Sequence, residues 1–129
     1  MTIRVYVVDD HALVRAGMRM ILSAEADIEV VGEAESGEDA LPEIRALKPD
    51  IVLCDLLMPG MDGYELLREV RRQYGRPQPP LVAMSGLVSR ADHQHTQAAG
   101  FEGHLDKPFD DSALLAAVGR VLEGRRAAL

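Results

Sequence analysis

The stretch Val5-Tyr6-Val7-Val8-Asp9-Asp10, VYVVDD, sets four strand-forming apolar or aromatic residues directly before two adjacent carboxylates. An apolar run of this kind is typical of a parallel strand that is covered on both faces. Two neighbouring carboxylates repel each other, and an ionised carboxylate is costly to bury without a partner. The pair therefore indicates a site at the end of the first strand where a cation compensates the charge.

Similar short strand patterns recur along the chain and alternate with helical patterns. Strands are predicted at Ile3–Val8, Ile28–Gly32, Ile51–Cys54, Leu81–Met84 and Gly103–Leu105, with a helix after each. Parallel strands need crossover connections, and the crossover helices cover the sheet. Five such units predict an α/β fold, a doubly wound parallel sheet with helices on both faces.

Local signals mark several of these helices. Start signals are predicted at Ser36 with Asp39, at Asp62 with Glu65 and at Ser89 with Asp92. Pro42 is expected to kink the second helix or to remove one of its hydrogen bonds. The fourth helix, 90–99, has few large apolar residues, so we expect it to be the least firmly packed.

Composition bounds the class of protein. A length of 129 residues suits one domain, which we predict over residues 1–129. The 14 Lys and Arg stand against 21 Asp and Glu, and the formal net charge of −7 argues against nucleic-acid binding by this chain. Cys54 has no partner for an internal disulfide and is expected to be a small buried hydrophobe. No signal-peptide pattern or membrane-length apolar run is present, so we predict a cytoplasmic protein without membrane contact.

Polar residues follow four of the predicted strands. They are Asp9 and Asp10 after the first strand, Asp55 after the third, Ser85 after the fourth and Lys107 after the fifth. Ligands of open α/β sheets bind beyond the carboxyl ends of the strands, so these side chains are expected to converge. Three carboxylates at one point need a cation, and Mg²⁺ accepts oxygen ligands while keeping waters and phosphate oxygens. The pattern predicts a magnesium site.

Such a site supports phosphoryl transfer. With Mg²⁺ present, Asp55 is suited to attack phosphorus and form an acyl phosphate. Lys107 would pair with one phosphoryl oxygen, and the Ser85 hydroxyl would donate a hydrogen bond to another. Each residue alone has an ordinary explanation as a capping or turn residue, and only their joint occurrence favours the site. His93 and His95 do not share a helix face, so no metal site is expected between them, and His11 is expected to be a loop residue beside the pocket.

The chain resembles the receiver domain of two-component response regulators over almost its whole length. The resemblance is carried by Asp9-Asp10, by Asp55-Leu56-Leu57-Met58-Pro59-Gly60-Met61-Asp62-Gly63, by Ser85-Gly86 and by Lys107-Pro108-Phe109. It implies a flavodoxin-like (βα)5 sheet with strand order 2-1-3-4-5 and three α/β/α layers. It further implies that Asp55 is the phospho-acceptor and that Lys107 binds the phosphoryl group. By the same likeness, Mg²⁺, or Mn²⁺ in its place, is held by Asp9, Asp10, Asp55 and the backbone carbonyl of Leu57.

The resemblance also implies partners. The phosphoryl donor would be a sensor histidine kinase or a histidine phosphotransfer protein, and Ser85 would act as the switch hydroxyl. The switched output would be a downstream protein target or a homodimer, bound through the face of helix 4, strand 5 and helix 5. The chain would not be a turnover enzyme, since it would catalyse only its own phosphorylation and slow dephosphorylation.

Three positions depart from the family's usual pattern. His104 stands three residues before Lys107, where Tyr or Phe is common. Imidazole is smaller and can ionise, so we predict weaker or pH-dependent coupling to the switch; the alternative is a merely partly exposed strand residue. Leu57 and Leu87 occupy positions that tune hydrolysis, and neither can orient water by hydrogen bonding. Slow loss of the phosphoryl group is therefore predicted.

Other interpretations remain open. The stretches DDHALVRAGMRMIL and VVGEAESGEDAL are most similar to receivers joined to helix-turn-helix outputs, so the chain could belong to a longer regulator with a DNA-binding output domain. The absence of a linker-like tail after Arg125 favours a single-domain form instead. A more remote alternative is an aspartyl-nucleophile phosphatase, but those enzymes carry a second acid where Leu57 stands. A nucleotide-binding domain lacks support, because no Gly-rich phosphate loop follows the first strand.

Overall fold

Five strands alternate with five helices in the computed structural model, which describes residues 2–74, 78–86 and 90–127. The strands are β1 (Ile3–Val8), β2 (Ile28–Ala34), β3 (Ile51–Asp55), β4 (Leu81–Ser85) and β5 (Gly103–Asp106). The helices are α1 (Ala12–Ser23), α2 (Gly37–Leu47), α3 (Gly63–Gln73), α4 (Arg90–Ala99) and α5 (Asp111–Ala127). The alternation predicted from the sequence is confirmed.

The strands form one parallel sheet in the order β2-β1-β3-β4-β5. This flavodoxin-like order was predicted, and it leaves β1 and β3 adjacent so that their carboxyl ends meet. Every residue of β3 and β4 is buried, because helices cover both faces of the sheet. The register between β1 and β2 shifts between Val5 and Tyr6.

Two apolar cores lie on opposite faces of the sheet. One contains Tyr6 and Val8 of β1 with buried residues of α2 and α3, including Ile44 and Leu66. The other contains Val5 and Val7 of β1 with buried residues of α1 and α5, and extends to Leu105 of β5. Alternate residues of a strand point to opposite faces, so β1 serves both cores. The molecule therefore has the predicted three layers.

Two of the three predicted helix starts lie on described residues, and both are confirmed. The Ser36 side chain accepts from the backbone N–H of Asp39, and the Asp62 side chain accepts from that of Glu65. Ser89, the third predicted cap, lies outside the described residues. Pro42 lies inside α2, which continues through it from Gly37 to Leu47. The proline therefore removes a hydrogen bond without ending the helix.

The predicted strand ends were too short at the carboxyl edge. β2 continues to Ala34, and β3, β4 and β5 each include one more residue, namely Asp55, Ser85 and Asp106. These polar residues take part in the sheet ladder, where Asp55 pairs with Met84 and Ser85 with Asp106. Backbone hydrogen bonding holds them in the strands even though their side chains are polar.

Two further predictions concern burial. Cys54 is fully buried in the core between β3 and α3, as expected of a small hydrophobe, and burial raises the pKa of its thiol. On α4 only Thr96 is buried, in agreement with the predicted weak packing. Within the described part of the chain, none of the helices combines the length and apolar character that a membrane crossing requires.

Candidate functional site at the carboxyl edge of the sheet

Three carboxylates meet where β1 and β3 end. Asp9 and Asp10 follow β1, and Asp55 is the last residue of β3. Oxygen atoms of these three residues and a ring nitrogen of His11 all lie within 4.8 Å of one another. Asp9 and Asp55 are buried, and Asp10 is partly exposed. The structure thus brings together the three acidic residues that the sequence predicted, Asp9, Asp10 and Asp55, and we call their site the acidic pocket. Asp10 is its most exposed carboxylate.

Lys107 places its ammonium between two of these carboxylates. Its Nζ donates to Asp9 Oδ2 at 2.7 Å and lies 3.5 Å from Asp55 Oδ2. The position follows from the sheet, because the backbone N–H of Lys107 donates to the carbonyl of Ser85 at 2.8 Å, just beyond the paired ends of β4 and β5. One positive charge therefore partly neutralises two buried negative ones.

The Asp55 carboxyl has a raised pKa. Burial is the largest cause, and the neighbouring Asp9 carboxylate acts in the same direction. The Lys107 ammonium and a hydrogen bond of 3.3 Å from the Leu57 backbone N–H to Asp55 Oδ1 oppose this shift. Since the opposing groups do not cancel it, the ionised form of Asp55 is under-compensated in this pocket.

One carboxylate oxygen at the mouth of the pocket is available to a cation. Asp10 Oδ1 is buried and accepts no hydrogen bond from the described residues, although His11 Nδ1 lies 3.2 Å away. A buried anionic oxygen without a donor is costly unless a cation or water binds it. All three carboxylates offer hard oxygen ligands, so the donor set fits Mg²⁺.

His11 and Arg15 are site residues that the sequence reasoning missed or undervalued. His11 is the N-cap residue of α1, and its Nδ1 lies 3.2 Å from Asp9 Oδ1 as well as from Asp10 Oδ1. The Arg15 guanidinium donates to the Asp9 carbonyl oxygen. Arg15 could have been found from its position in the sequence. It follows His11 by one helical turn, so its side chain lies on the same face of α1, over the end of β1.

The connection from β3 to α3 is tightly folded around Asp55. The Gly63 N–H donates to the Leu56 carbonyl oxygen at 3.1 Å, and a Cβ atom at Gly63 would lie 2.7 Å from the Asp55 carbonyl oxygen. Gly60 has a φ of 74°, in the left-handed region that favours glycine. The two glycines let the backbone return to the sheet beside the acidic residues.

The remaining predicted residues have different surroundings. Ser85 is buried at the end of β4, on the strand beside Asp55. Leu57 follows Asp55 closely and its side chain is exposed, at 66%. Leu87 lies outside the described residues.

His104 does not belong to the acidic pocket. Its side chain is only 8% exposed and packs against α4, where its ring stacks on that of His93 with centroids 4.0 Å apart. Its Nδ1 lies 3.1 Å from Thr96 Oγ1. His104 is thus a packed residue of the α4–β5 contact, while its predicted influence on switching stays a prediction.

The comparisons with known proteins agree with this fold. The family described as "Response regulator receiver domain" matches residues 5–119. The chain belongs to this family. The chain is 38% identical to the response regulator protein VraR of Staphylococcus epidermidis over 124 residues. This alignment covers 96% of the chain and 58% of VraR. The chain thus spans little more than half the length of this relative.

Solved structures show the same likeness. The signal receiver domain of the putative response regulator NarL from Mycobacterium tuberculosis superposes with a TM-score of 0.85 at 35% identity, covering 95% of this chain and 98% of that one. The chemotaxis protein CheY4 of Vibrio cholerae gives a TM-score of 0.82 at 30% identity, covering 94% of this chain and 99% of that one. Residues 5–119 are therefore a receiver domain of the two-component response regulator class.

Proposed function

We propose that this receiver accepts one phosphoryl group on Asp55 from a phosphohistidine of a sensor histidine kinase or a histidine phosphotransfer protein. The observation that carries the proposal is the Asp55 carboxylate, buried at the end of β3 with Lys107 Nζ 3.5 Å away and the Asp9 and Asp10 carboxylates beside it. A nucleophilic oxygen, a cation for the phosphoryl group and a metal-binding donor set are together.

The metal ligands in this proposal are Asp9, Asp10, Asp55 and the backbone carbonyl of Leu57, with Mn²⁺ able to replace Mg²⁺. The hydrogen-bond-free Asp10 Oδ1 and the raised pKa of Asp55 support a cation here. When bound, Mg²⁺ supplies positive charge that offsets the carboxylates and the phosphoryl oxygens.

The side chains of the receiver carry out the transfer and bind the phosphoryl group. An Asp55 oxygen bonds to phosphorus as the phosphorus–nitrogen bond of the donor breaks, and the departing imidazole keeps the electron pair and takes up a proton. Lys107 turns from Asp9 and Asp55 toward a phosphoryl oxygen, and the Ser85 hydroxyl donates to another. The receiver labels itself once and loses the group slowly, with Leu57 and Leu87 unable to orient water. It is in this sense not a turnover enzyme.

The output is a change in protein association. The added charge on Asp55 draws Ser85 inward and shifts α4, with His104 at the α4–β5 contact. The face of α4, β5 and α5 then binds a downstream protein target or a second copy of this chain. In this proposal residues 1–129 act in the cytoplasm and contact neither nucleic acid nor membrane.

A longer regulator is the second candidate. The chain covers 58% of VraR, so a relative of this kind contains another segment of substantial length. In that case residues 1–129 form the receiver of a regulator with a DNA-binding output domain, and phosphorylation acts on that domain.

Phosphorylation is tested by incubation with Mg²⁺ and acetyl phosphate, followed by intact-mass measurement. We expect wild type to gain the mass of one phosphoryl group and Asp55→Asn to gain none. Asp62→Asn is the matched control, because Asn also caps helices and this carboxylate belongs to the α3 cap. Equal labelling of Asp55→Asn and wild type would contradict the assignment, and so would repeated turnover of a phosphate ester.

A further inference from the structure

A second group of metal-ligand side chains lies outside the acidic pocket, where α4 contacts β5. It consists of His93 on α4 with His104 and Asp106 on β5, and one donor atom from each lies within 4.8 Å of the other two. The His93 Nε2 is 2.8 Å from Asp106 Oδ1, and the His104 Nε2 is 3.3 Å from the same oxygen. We call these three residues the His-His-Asp cluster.

The distances suit a tetrahedral ion. Zinc binds imidazole nitrogen and carboxylate oxygen at about 2.0 to 2.2 Å, so neighbouring ligand atoms of a tetrahedral site are about 3.3 Å apart. The separation of 3.3 Å between His104 Nε2 and Asp106 Oδ1 matches this spacing, and the hydrogen-bonded separation of 2.8 Å between His93 Nε2 and the same oxygen would lengthen when an ion binds. The imidazole rings are stacked, with 24° between their planes, and both present Nε2 to the carboxylate. Because nearly parallel rings direct their nitrogen lone pairs along nearly parallel lines, one ring must rotate for both to bind the same ion, and His93 is the more exposed of the two.

A neighbouring hydroxyl contacts the far ring nitrogen of His104 and is compatible with its metal-binding tautomer. The Thr96 hydroxyl donates to the His93 carbonyl oxygen at 2.9 Å, so its oxygen can accept the Nδ1–H of His104 at 3.1 Å. A neutral His104 that carries its proton on Nδ1 has its lone pair on Nε2. In this tautomer Nε2 is directed toward Asp106 Oδ1, 3.3 Å away, and can coordinate a cation that binds beside that oxygen. Hydrogen bonds of this kind, to the far nitrogen of a metal-ligating histidine, orient the ring in known metal sites.

The cluster is also accessible. The side chains of His93 and Asp106 are 41% and 46% exposed, and that of His104 is 8% exposed. An ion can therefore enter from solvent, and the open side leaves room for a water ligand. The negative net charge of the chain favours cation approach.

We propose that His93, His104 and Asp106 form a binding site for a divalent transition-metal ion of the zinc type, with water completing the coordination. Mixed imidazole and carboxylate donors favour zinc over magnesium, so this site and the acidic pocket differ in metal preference. A bound ion links α4 to β5. Because only Thr96 of α4 is buried, that link would strengthen a helix that the His93 contacts with β5 already help to hold.

The test is calorimetric titration of the untagged chain with Zn²⁺ in excess Mg²⁺, which occupies the acidic pocket. We expect one zinc ion per chain, and a loss of at least about tenfold in affinity for His93→Gln. His95→Gln is the matched control, since His95 lies on the same helix, is exposed and contacts Tyr64 instead of the cluster. This variant should bind zinc as wild type does.

Two further measurements separate a metal site from a structural ion pair. Thr96→Val keeps the shape of the side chain, removes the hydroxyl that contacts His104 Nδ1 and the His93 carbonyl oxygen, and should weaken zinc binding about 10- to 100-fold. Co²⁺ should give the intense visible absorption of a tetrahedral ion in wild type and not in His93→Gln. Equal zinc affinity in wild type and His93→Gln would overturn the proposal, as would the absence of zinc binding by wild type in excess Mg²⁺. Neither result depends on phosphorylation of Asp55.

Discussion

The negative charge of ionised Asp55 is only partly balanced by the groups around it. Burial and the Asp9 carboxylate raise its pKa above the ordinary value of 3.8. A carboxyl group with a raised pKa in the folded state keeps its proton to higher pH there than in the unfolded chain. Stability is therefore lost as pH rises from about 3.8 through the higher native pKa.

The Asp55→Asn variant should escape this loss. In Mg²⁺-free buffer at pH 7 we expect it to have a higher free energy of unfolding than wild type, since Lys107 keeps Asp9 as a partner at 2.7 Å. The difference should shrink toward pH 3.8 and also on addition of Mg²⁺, which binds wild type more strongly. Urea unfolding checks both trends, with Asp62→Asn as the control. A variant less stable than wild type without Mg²⁺ would argue against an under-compensated charge.

Gly63 is held by backbone contacts. A Cβ atom there would lie 2.7 Å from the Asp55 carbonyl oxygen and 2.9 Å from the Leu56 Cα, and neither backbone atom can rotate away. Gly63→Ala should therefore lower the free energy of unfolding by about 1 to 3 kcal/mol. It should also slow labelling of Asp55, because the end of β3 must shift.

Gly17 supplies the matched control for that substitution. It lies inside α1, and a Cβ atom there would have no contact within 4 Å. Gly17→Ala should raise the free energy of unfolding by roughly 0.5 to 1 kcal/mol, through reduced backbone entropy of the unfolded chain. Chemical denaturation of both variants checks the pair. Similar effects of the two substitutions would contradict the close approach at Gly63.

At the scale of elements, α4 differs from α3. Gly63, Leu66, Leu67 and Val70 of α3 are buried, whereas Thr96 alone is buried on α4. Helices gain most of their stability from packing an apolar face, so α4 should open more easily.

Hydrogen exchange measures this difference directly. In Mg²⁺- and Zn²⁺-free buffer, amides of α4 should exchange with opening free energies at least about 1 kcal/mol below those of β3, all of whose residues are buried. Exchange of α3 amides serves as the internal reference for a packed helix. Protection of α4 equal to that of β3 would count against a readily shifted helix.

Element starts were predictable because they are local. The caps at Ser36 and Asp62 use residues three positions apart, so the pattern appears in the sequence. Strand ends were less predictable, since Asp55 and Ser85 are polar and look like loop residues. Their inclusion in β3 and β4 depends on ladder partners elsewhere in the chain.

At the scale of the whole molecule, the sheet joins two cores. Leu66 of α3 lies in one and Leu114 of α5 in the other, and both are fully buried. Each leucine to alanine change should lower the free energy of unfolding by about 2 to 5 kcal/mol. Because the strands contribute to both cores, unfolding should remain a single transition in each variant.

Leu13→Ala is the matched control for these changes. Leu13 is 85% exposed, so its removal should change stability by less than about 0.5 kcal/mol. Urea titrations followed by far-ultraviolet circular dichroism and by tyrosine fluorescence should coincide. Separate transitions for the two probes would contradict coupling through the sheet.

The sequence by itself determined the alternation of strands and helices, the caps, and the arrival of Asp9, Asp10, Asp55, Ser85 and Lys107 at one edge of the sheet. Hydrophobic periodicity and chain order suffice for these, because parallel strands all end on the same side. The tertiary structure decided which side chains make contact. Lys107 and Asp9 are 98 residues apart, and His93 meets His104 only because α4 packs its Thr96 face on β5. The first pair depends on the path of the residues that follow β1 and β5, and the second depends on the rotation of a helix over a strand. No local pattern encodes either.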